Sequence, residues 1–182
     1  VRPDFAIRQA GAGDAAGCAA IYAPYVLETA VSFEDVPPPD DELRERIAAA
    51  HVWLVAEHDG DLLGYAYGGP HQHRAAYRWA AEVSVYLDPR HHRRGIGRAL
   101  YLELFERLAA GGICTVCAGI TQPNEASGAL HAGLGFTAVG VYRRIGWKLG
   151  SWHDVLWMQL DLRPGAGDAP PPAIVSFGAG PA

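Results

Sequence analysis

The sequence predicts an α/β (α+β) fold, a sheet of about seven strands flanked by about four helices. Short apolar runs of strand character alternate with stretches of helical periodicity, and a helix, an irregular loop and a second helix precede the main sheet. A length of 182 residues buries a sizeable core and fits one domain better than two.

Phe5-Ala6-Ile7-Arg8 reads as the first strand. Asp14 is a helix-capping candidate ahead of a periodic apolar stretch with Cys18, Ile21, Tyr22 and Tyr25, and Pro24 is expected to kink or end that helix. Val36-Pro37-Pro38-Pro39 cannot continue a helix, so Asp40 starts the next one, through about Ala49. Val52–Glu57 and Leu62–Tyr67 read as strands joined at His58-Asp59-Gly60-Asp61, where Asp-Gly marks a tight hairpin. Another strand, about Trp79 to Leu87, enters a glycine-containing loop through Asp88-Pro89. From Ile96, the residues Leu100, Leu104 and Leu108 recur every four positions and give a helix with one inward face, ending near Gly111-Gly112. A strand then covers about Cys114 to Ile120, Asn124 caps a short helix that stops at Gly133 or Gly135, and Phe136–Tyr142 and Val155–Leu160 supply the last two strands. This gives a domain over residues 1–162, followed at 163–182 by a Pro/Gly/Ala-rich tail expected to be flexible.

Composition narrows the function. The formal charge of −5 disfavours nonspecific attraction to a nucleic-acid backbone. No apolar run approaches the roughly 20 residues that span a bilayer, so a cytoplasmic protein with neither nucleic-acid nor membrane partners is expected. Three cysteines cannot form a fully paired disulfide framework. Cys114 and Cys117 make a CxxC, but a spacing of three on a strand puts their side chains on opposite faces, and no second CxxC completes a zinc site. His71-x-His73 and His91-His92 point in different directions on extended chain and lack further ligands, so no metal is expected.

The informative segment is His91-His92-Arg93-Arg94-Gly95-Ile96-Gly97-Arg98-Ala99-Leu100, between a predicted strand and a predicted helix. Glycine lets backbone amides approach an anion, and a helix start presents unpaired N–H groups and a positive dipole end. Arg93 and Arg94 are unfavourable there by about 0.3–1 kcal/mol each unless an anion offsets them. A pyrophosphate would. The GxxxxGK[ST] phosphate loop is absent, and a dinucleotide fingerprint lacks its third glycine and comes too late in the chain. An acyl-CoA is the better ligand.

On this motif the chain resembles the GNAT superfamily of acyl-CoA-dependent N-acetyltransferases, whose Gln/Arg-x-x-Gly-x-Gly/Ala signature falls on His92-Arg93-Arg94-Gly95-Ile96-Gly97, with His92 in place of the usual first residue. Within it, Thr29–Glu34, Gly69-Pro70, Arg74–Glu82 and Gly150–Val155 resemble the phosphinothricin acetyltransferase branch. The resemblance implies a splayed mixed sheet, with acetyl-CoA entering between central parallel strands and held by Arg93, Arg94, Gly95, Ile96, Gly97, Arg98 and Ala99. It also implies backbone N–H groups near Val83 and Val85 that polarise the thioester, and a homodimer.

Acetyl transfer needs an amine stripped of a proton, and hence a base. Glu82 shares a strand face with Ser84 and Tyr86 and coincides with the carboxylate that the resembled branch uses as general base. His131 stands seven residues after Asn124, on about the same helical face, where many members carry an acidic tyrosine. It reads either as the acid for the leaving thiolate or as a hydrogen-bonded structural histidine. Asn124 is assigned to the cofactor. For the acceptor, a small-molecule amine, Arg74 can bind a carboxylate or phosphinate bidentately and Tyr77 can orient it. Phe33, Glu34 and Trp152 are further wall candidates, each with a packing or capping alternative. Loop His71-Gln72-His73 differs from the aromatic or basic residues of the branch. The competing functions are acetylation of a protein N-terminus or polyamine, and a silent acyl-CoA-binding regulator.

Overall fold

The computed structural model describes residues 4–175 and 177. Strands β1 (Ala6–Gln9), β2 (Val52–His58), β3 (Asp61–Pro70), β4 (Ala80–Leu87), β5 (Thr115–Gln122), β6 (Thr137–Lys148) and β7 (Ser151–Asp161) form one sheet in the order β1-β2-β3-β4-β5-β7-β6. Helices α1 (Ala15–Glu28), α2 (Asp40–Ala49), α3 (Ile96–Ala110) and α4 (Glu125–Gly133) flank it. This is the mixed, helix-flanked sheet that the pattern predicts.

Alternation along β2 shows how the sheet acquires two cores. Leu54 and Ala56 join Leu100, Leu104 and Leu108 of α3 on one face. Trp53 and Val55 join Cys18, Tyr22, Leu43 and Ile47 of α1 and α2 on the other. The leucine repeat on α3 is fully buried, and burying each such side chain contributes roughly 1.5–3 kcal/mol.

The splay lies at the centre. β4 and β5 are the parallel pair, in register only at Ala80–Thr115, Ala81–Val116 and Glu82–Cys117. Beyond that, β5 continues with β7 to Gln122 while β4 continues with β3 to Leu87. The strands part immediately after Glu82, leaving two facing backbone edges without a partner strand.

Four expectations need correction. Pro24 does not end α1, which runs on to Glu28. Asp14 makes no side-chain cap on α1; its carboxylate takes the Arg8 guanidinium at 2.8 Å and the Gly11 N–H. The last two strands are far longer than Phe136–Tyr142 and Val155–Leu160, because they form one hairpin turned at Leu149-Gly150, both at positive φ. β3 likewise extends to Pro70.

The tail, read from its sequence as flexible, is irregular over its described residues and is attached to the domain by hydrogen bonds and by the Phe177 ring, which packs on His51 at 4.6 Å between centroids. Trp79 Nε1 donates to the Pro172 carbonyl at 2.8 Å and Val175 N to the Gly111 carbonyl at 3.0 Å.

Candidate active site

The loop from β4 into α3 is shaped by its own chemistry. The Asp88 carboxylate accepts from Arg90 N at 2.9 Å and grips the Arg90 guanidinium, so Arg90 holds that carboxyl below its ordinary range. Arg93 (φ 61°) and Gly95 (φ 78°) then take left-handed conformations. Among the described residues, the backbone N–H groups of Arg93 through Arg98 have no backbone acceptor, and the first helical bond is Ala99 N to the Gly95 carbonyl at 3.0 Å. Alternating left-handed residues that turn successive N–H groups free are an anion nest, and the dipole of the 15-residue α3 adds to it.

The side chains around this nest are held apart from it. His92 Nε2 lies 3.1 Å from the Tyr25 hydroxyl, which donates to the Leu87 carbonyl at 2.6 Å; the imidazole is therefore the donor to Tyr25. Arg94 donates to His91 and Arg98 to the Gly133 carbonyl. The cradle is thus a backbone device, and these residues fit the pyrophosphate of an acyl-CoA.

Between the parted strands lies a narrow cleft of about 60 Å³. Val83, Ser84, Val85 and Tyr86 line it from β4, Ala118–Thr121 from β5, and Tyr101, Asn124, Ser127 and His131 close it. The side chains of Val83 and Val85 belong to the α3 core, so these residues offer the cleft their backbone. Asn124 caps α4 by accepting from Ser127 N at 3.1 Å, and its side-chain amide N–H groups remain available to the cleft.

His131 is 3 % exposed. Its Nδ1 stands 2.7 Å from the Ser127 carbonyl, which can only accept, so Nδ1 carries the proton and Nε2 accepts from the Tyr101 hydroxyl at 3.2 Å. Burial lowers its pKa. With both nitrogens committed in a neutral ring, the structural one of its two readings is favoured over a proton donor to thiolate.

Glu82 stands where the strands part. Burial raises its carboxyl above the ordinary glutamate value, opposed by His71, whose Nδ1 lies 3.7 Å from Glu82 Oε2. His71 in turn contacts Tyr77 edge-on at 6.2 Å between ring centroids and Trp157 at 5.7 Å. Tyr77 follows Arg74 in a short 3-10 turn, and Arg74 has no ion pair among the described residues. Glu82, His71, Tyr77 and Trp157 therefore belong to one neighbourhood, with Arg74 three residues before Tyr77 in the chain, and His71 and Trp157 are members that sequence reasoning did not assign to it.

The remaining wall candidates are differently employed. Glu34 accepts from the Arg46 guanidinium at 2.7 and 3.1 Å and from Tyr22 at 3.0 Å. Burial raises its carboxyl, but Arg46 and Tyr22 outweigh this and hold it low. Its role is to brace the Ser32–Glu34 loop, together with buried Lys148, which donates to the Ser32 and Glu34 carbonyls. These partners support the structural alternative for Glu34 beside its reading as a wall of the acceptor site. Phe33 packs on Gly146, where an added Cβ would stand 2.3 Å from its ring. Trp152 meets Trp147 and Arg144 on the outer hairpin and is 49 % exposed.

A larger hollow, of about 960 Å³, lies between β1, α2, the end of α3 and the tail. Its charged lining is satisfied internally, Arg8 by Asp14 and Glu57 and Arg107 by Glu103, and it holds none of the groups just described.

This geometry agrees with comparisons to known proteins. Residues 7–157 match the model of the acetyltransferase (GNAT) domain family, and the chain belongs to that family. It is 41 % identical over 159 residues to the phosphinothricin N-acetyltransferase of Streptomyces viridochromogenes, covering 86 % of this chain and 87 % of that one. It is 35 % identical over 160 residues to an L-methionine sulfoximine/L-methionine sulfone acetyltransferase of Salmonella typhimurium, covering 86 % and 94 %. Among solved structures, a GNAT-superfamily phosphinothricin acetyltransferase from Sinorhizobium meliloti in complex with acetyl-CoA superposes with a TM-score of 0.87, at 35 % identity over 93 % of this chain and 94 % of that one.

Proposed function

We propose that this enzyme transfers the acetyl group of acetyl-CoA to the primary amine of a small amino acid or analogue, such as phosphinothricin or methionine sulfoximine or sulfone. The observation that carries it is a half-buried carboxylate, Glu82, at the last paired position of β4 and β5, where the strands part into a cleft and β4 runs on to the phosphate cradle. The relatives named for these substrates support the choice of acceptor.

The residues divide the work. The N–H groups of Arg93 through Arg98 hold the pyrophosphate, with Ala99 closing the first helical turn, and Asn124 and the open edges of β4 and β5 hold the amide-bearing arm. Glu82 takes the proton of the acceptor ammonium, freeing the lone pair that attacks the thioester carbonyl. N–H groups on the open edge near Val83 and Val85 stabilise the negative charge that develops on the carbonyl oxygen. The neutral His131 fixes the Tyr101 hydroxyl beside the cleft. Arg74 clamps the acceptor's carboxylate and Tyr77 orients it, a short pocket suited to an amino acid rather than to a peptide running through an open groove.

We further infer a homodimer. β6 is an edge strand, and Val139, Tyr142, Ile145, Trp147 and Leu149 on its hairpin are all more than half exposed; a second copy would cover this apolar edge and put Phe33 and Trp152 beside the interface. The donor places the reaction in the cytoplasm, and no helix among the described residues is long and apolar enough to cross a membrane.

The test is release of CoA from acetyl-CoA across phosphinothricin, methionine sulfoximine, methionine sulfone, proteinogenic amino acids, spermidine and short peptides. The proposal expects kcat/KM to be highest for the amino-acid analogues. Higher values for spermidine or peptides would overturn the acceptor class.

A further inference from the structure

His71 has no role in the chemistry described so far, yet its surroundings are unusual for a loop histidine. Its Nδ1 is buried and has no hydrogen-bond partner within the protein. A buried nitrogen of this kind costs free energy unless something uses it. The nearest opposite charge is Glu82 Oε2 at 3.7 Å, an ion-pair distance. The ring is aimed by its neighbours: Trp157 of β7 stands edge-on at 74° and Tyr77 at 72°, and the His71 backbone N–H is tied to the Ala80 carbonyl at 3.3 Å. The imidazole is thus fixed between the substrate loop and the base.

We propose that His71 is a positioning residue for Glu82, fixing its carboxylate at the mouth of the cleft and sustaining the ionised form of the base against desolvation. This rests on the reading of Glu82 as general base. The other titratable groups facing Glu82 are Tyr67 from β3 and Cys117 from β5. Both are raised by burial and stay neutral, so neither can offset the desolvation. His71 is the partner of Glu82 that can carry positive charge. Without it, burial alone acts on the carboxyl, and the base takes up its proton at a higher pH.

The variant His71→Phe keeps an aromatic ring against Trp157 and Tyr77 and removes Nδ1. With acetyl-CoA and L-methionine sulfoximine, the acid limb of kcat/KM, which reports the free enzyme, moves to higher pH by about one unit, the low end of what an opposite charge within about 4–6 Å exerts. The plateau above the limb changes by no more than about threefold. His71→Asn, smaller and uncharged, gives the same shift and serves where the Phe variant folds poorly. Carbon-13 titration of the Glu82 carboxyl in wild type and His71→Phe reads the same shift without turnover. An acid limb and a Glu82 titration that coincide with wild type in both variants would overturn the proposal. Glu82→Gln separates the two readings: if it keeps the wild-type profile, the base assignment fails, while the carboxyl titration still decides whether His71 governs Glu82.

Discussion

At the scale of single residues, the site works by contrast between polar groups that are satisfied and those that are not. Glu34, Lys148 and His131 are buried or half-buried with their partners in place, and they hold shape. Glu82 and His71 face each other with bonding capacity left over. Because burial raises Glu82 and the proposed base must be ionised to act, activity is expected to fall with decreasing pH above the ordinary glutamate range of about 4.3. Arg74→Ala should raise KM for carboxylate-bearing acceptors roughly 10- to 100-fold, the value of a charge-assisted hydrogen bond of about 1.5–3 kcal/mol, with kcat within a few-fold; steady-state kinetics at saturating acetyl-CoA check it. An unchanged KM would remove the clamp. Glu82 was proposed from the sequence because strand alternation and the family pattern converge on it. His71 was not, because a histidine's meaning is set by neighbours more than eighty positions away, here Trp157, which no local pattern reveals. Glu34 reads two ways for the same reason: its acidic character fits a binding wall as well as it fits an ion pair, and only the fold brings Arg46 to it.

At the scale of elements, the strand-loop-helix unit around α3 is where sequence and structure agree most closely. Its leucine repeat fixes the buried face, and its glycines fix the start. Gly95 needs its left-handed φ of 78°, so Gly95→Ala should cost about 1–2 kcal/mol and raise KM for acetyl-CoA, measured alongside a urea melt. Gly97→Ala is the control for stability: its Cβ would meet Leu87 at 3.4 Å and Leu130 at 3.6 Å, ordinary contacts, and the melt should hardly move. The β6–β7 hairpin was the least legible element. Arg143, Arg144 and Lys148 break the apolar alternation, the register slips between Ala138 and Gly140 and between Tyr142 and Gly146, and the turn uses Leu149-Gly150 rather than a stronger signal such as Asn-Gly. Pro24 was overread because its helix is held by tertiary packing of Cys18, Ile21, Tyr22 and Val26, which outweighs one lost backbone bond.

Across the whole molecule, the splay of β4 from β5 opens the cleft just beyond Glu82, the last paired residue of β4, and in the proposed function this is what joins donor to acceptor. Three carboxyls, Asp14 beside Arg8, Glu34 beside Arg46 and Asp88 beside Arg90, are held below their ordinary values. A depressed carboxyl stabilises the fold above its unfolded value and loses that contribution as pH falls through its folded value, so Glu34→Gln should flatten the acid side of a stability-against-pH curve from denaturant melts. For assembly, Ile145→Asp on the exposed hairpin should convert dimer to monomer in analytical ultracentrifugation; a monomeric wild type would remove the dimer. The overall sheet was legible because two periodicities, of strand and helix, announce it, whereas the splay follows from which neighbour each strand keeps. The most direct test of the central claim is CoA release with L-methionine sulfoximine across pH for wild type and Glu82→Gln. Loss of about 10²- to 10⁴-fold in kcat/KM, together with disappearance of the acid limb, is the predicted result; an unchanged rate and pH profile in Glu82→Gln would contradict it.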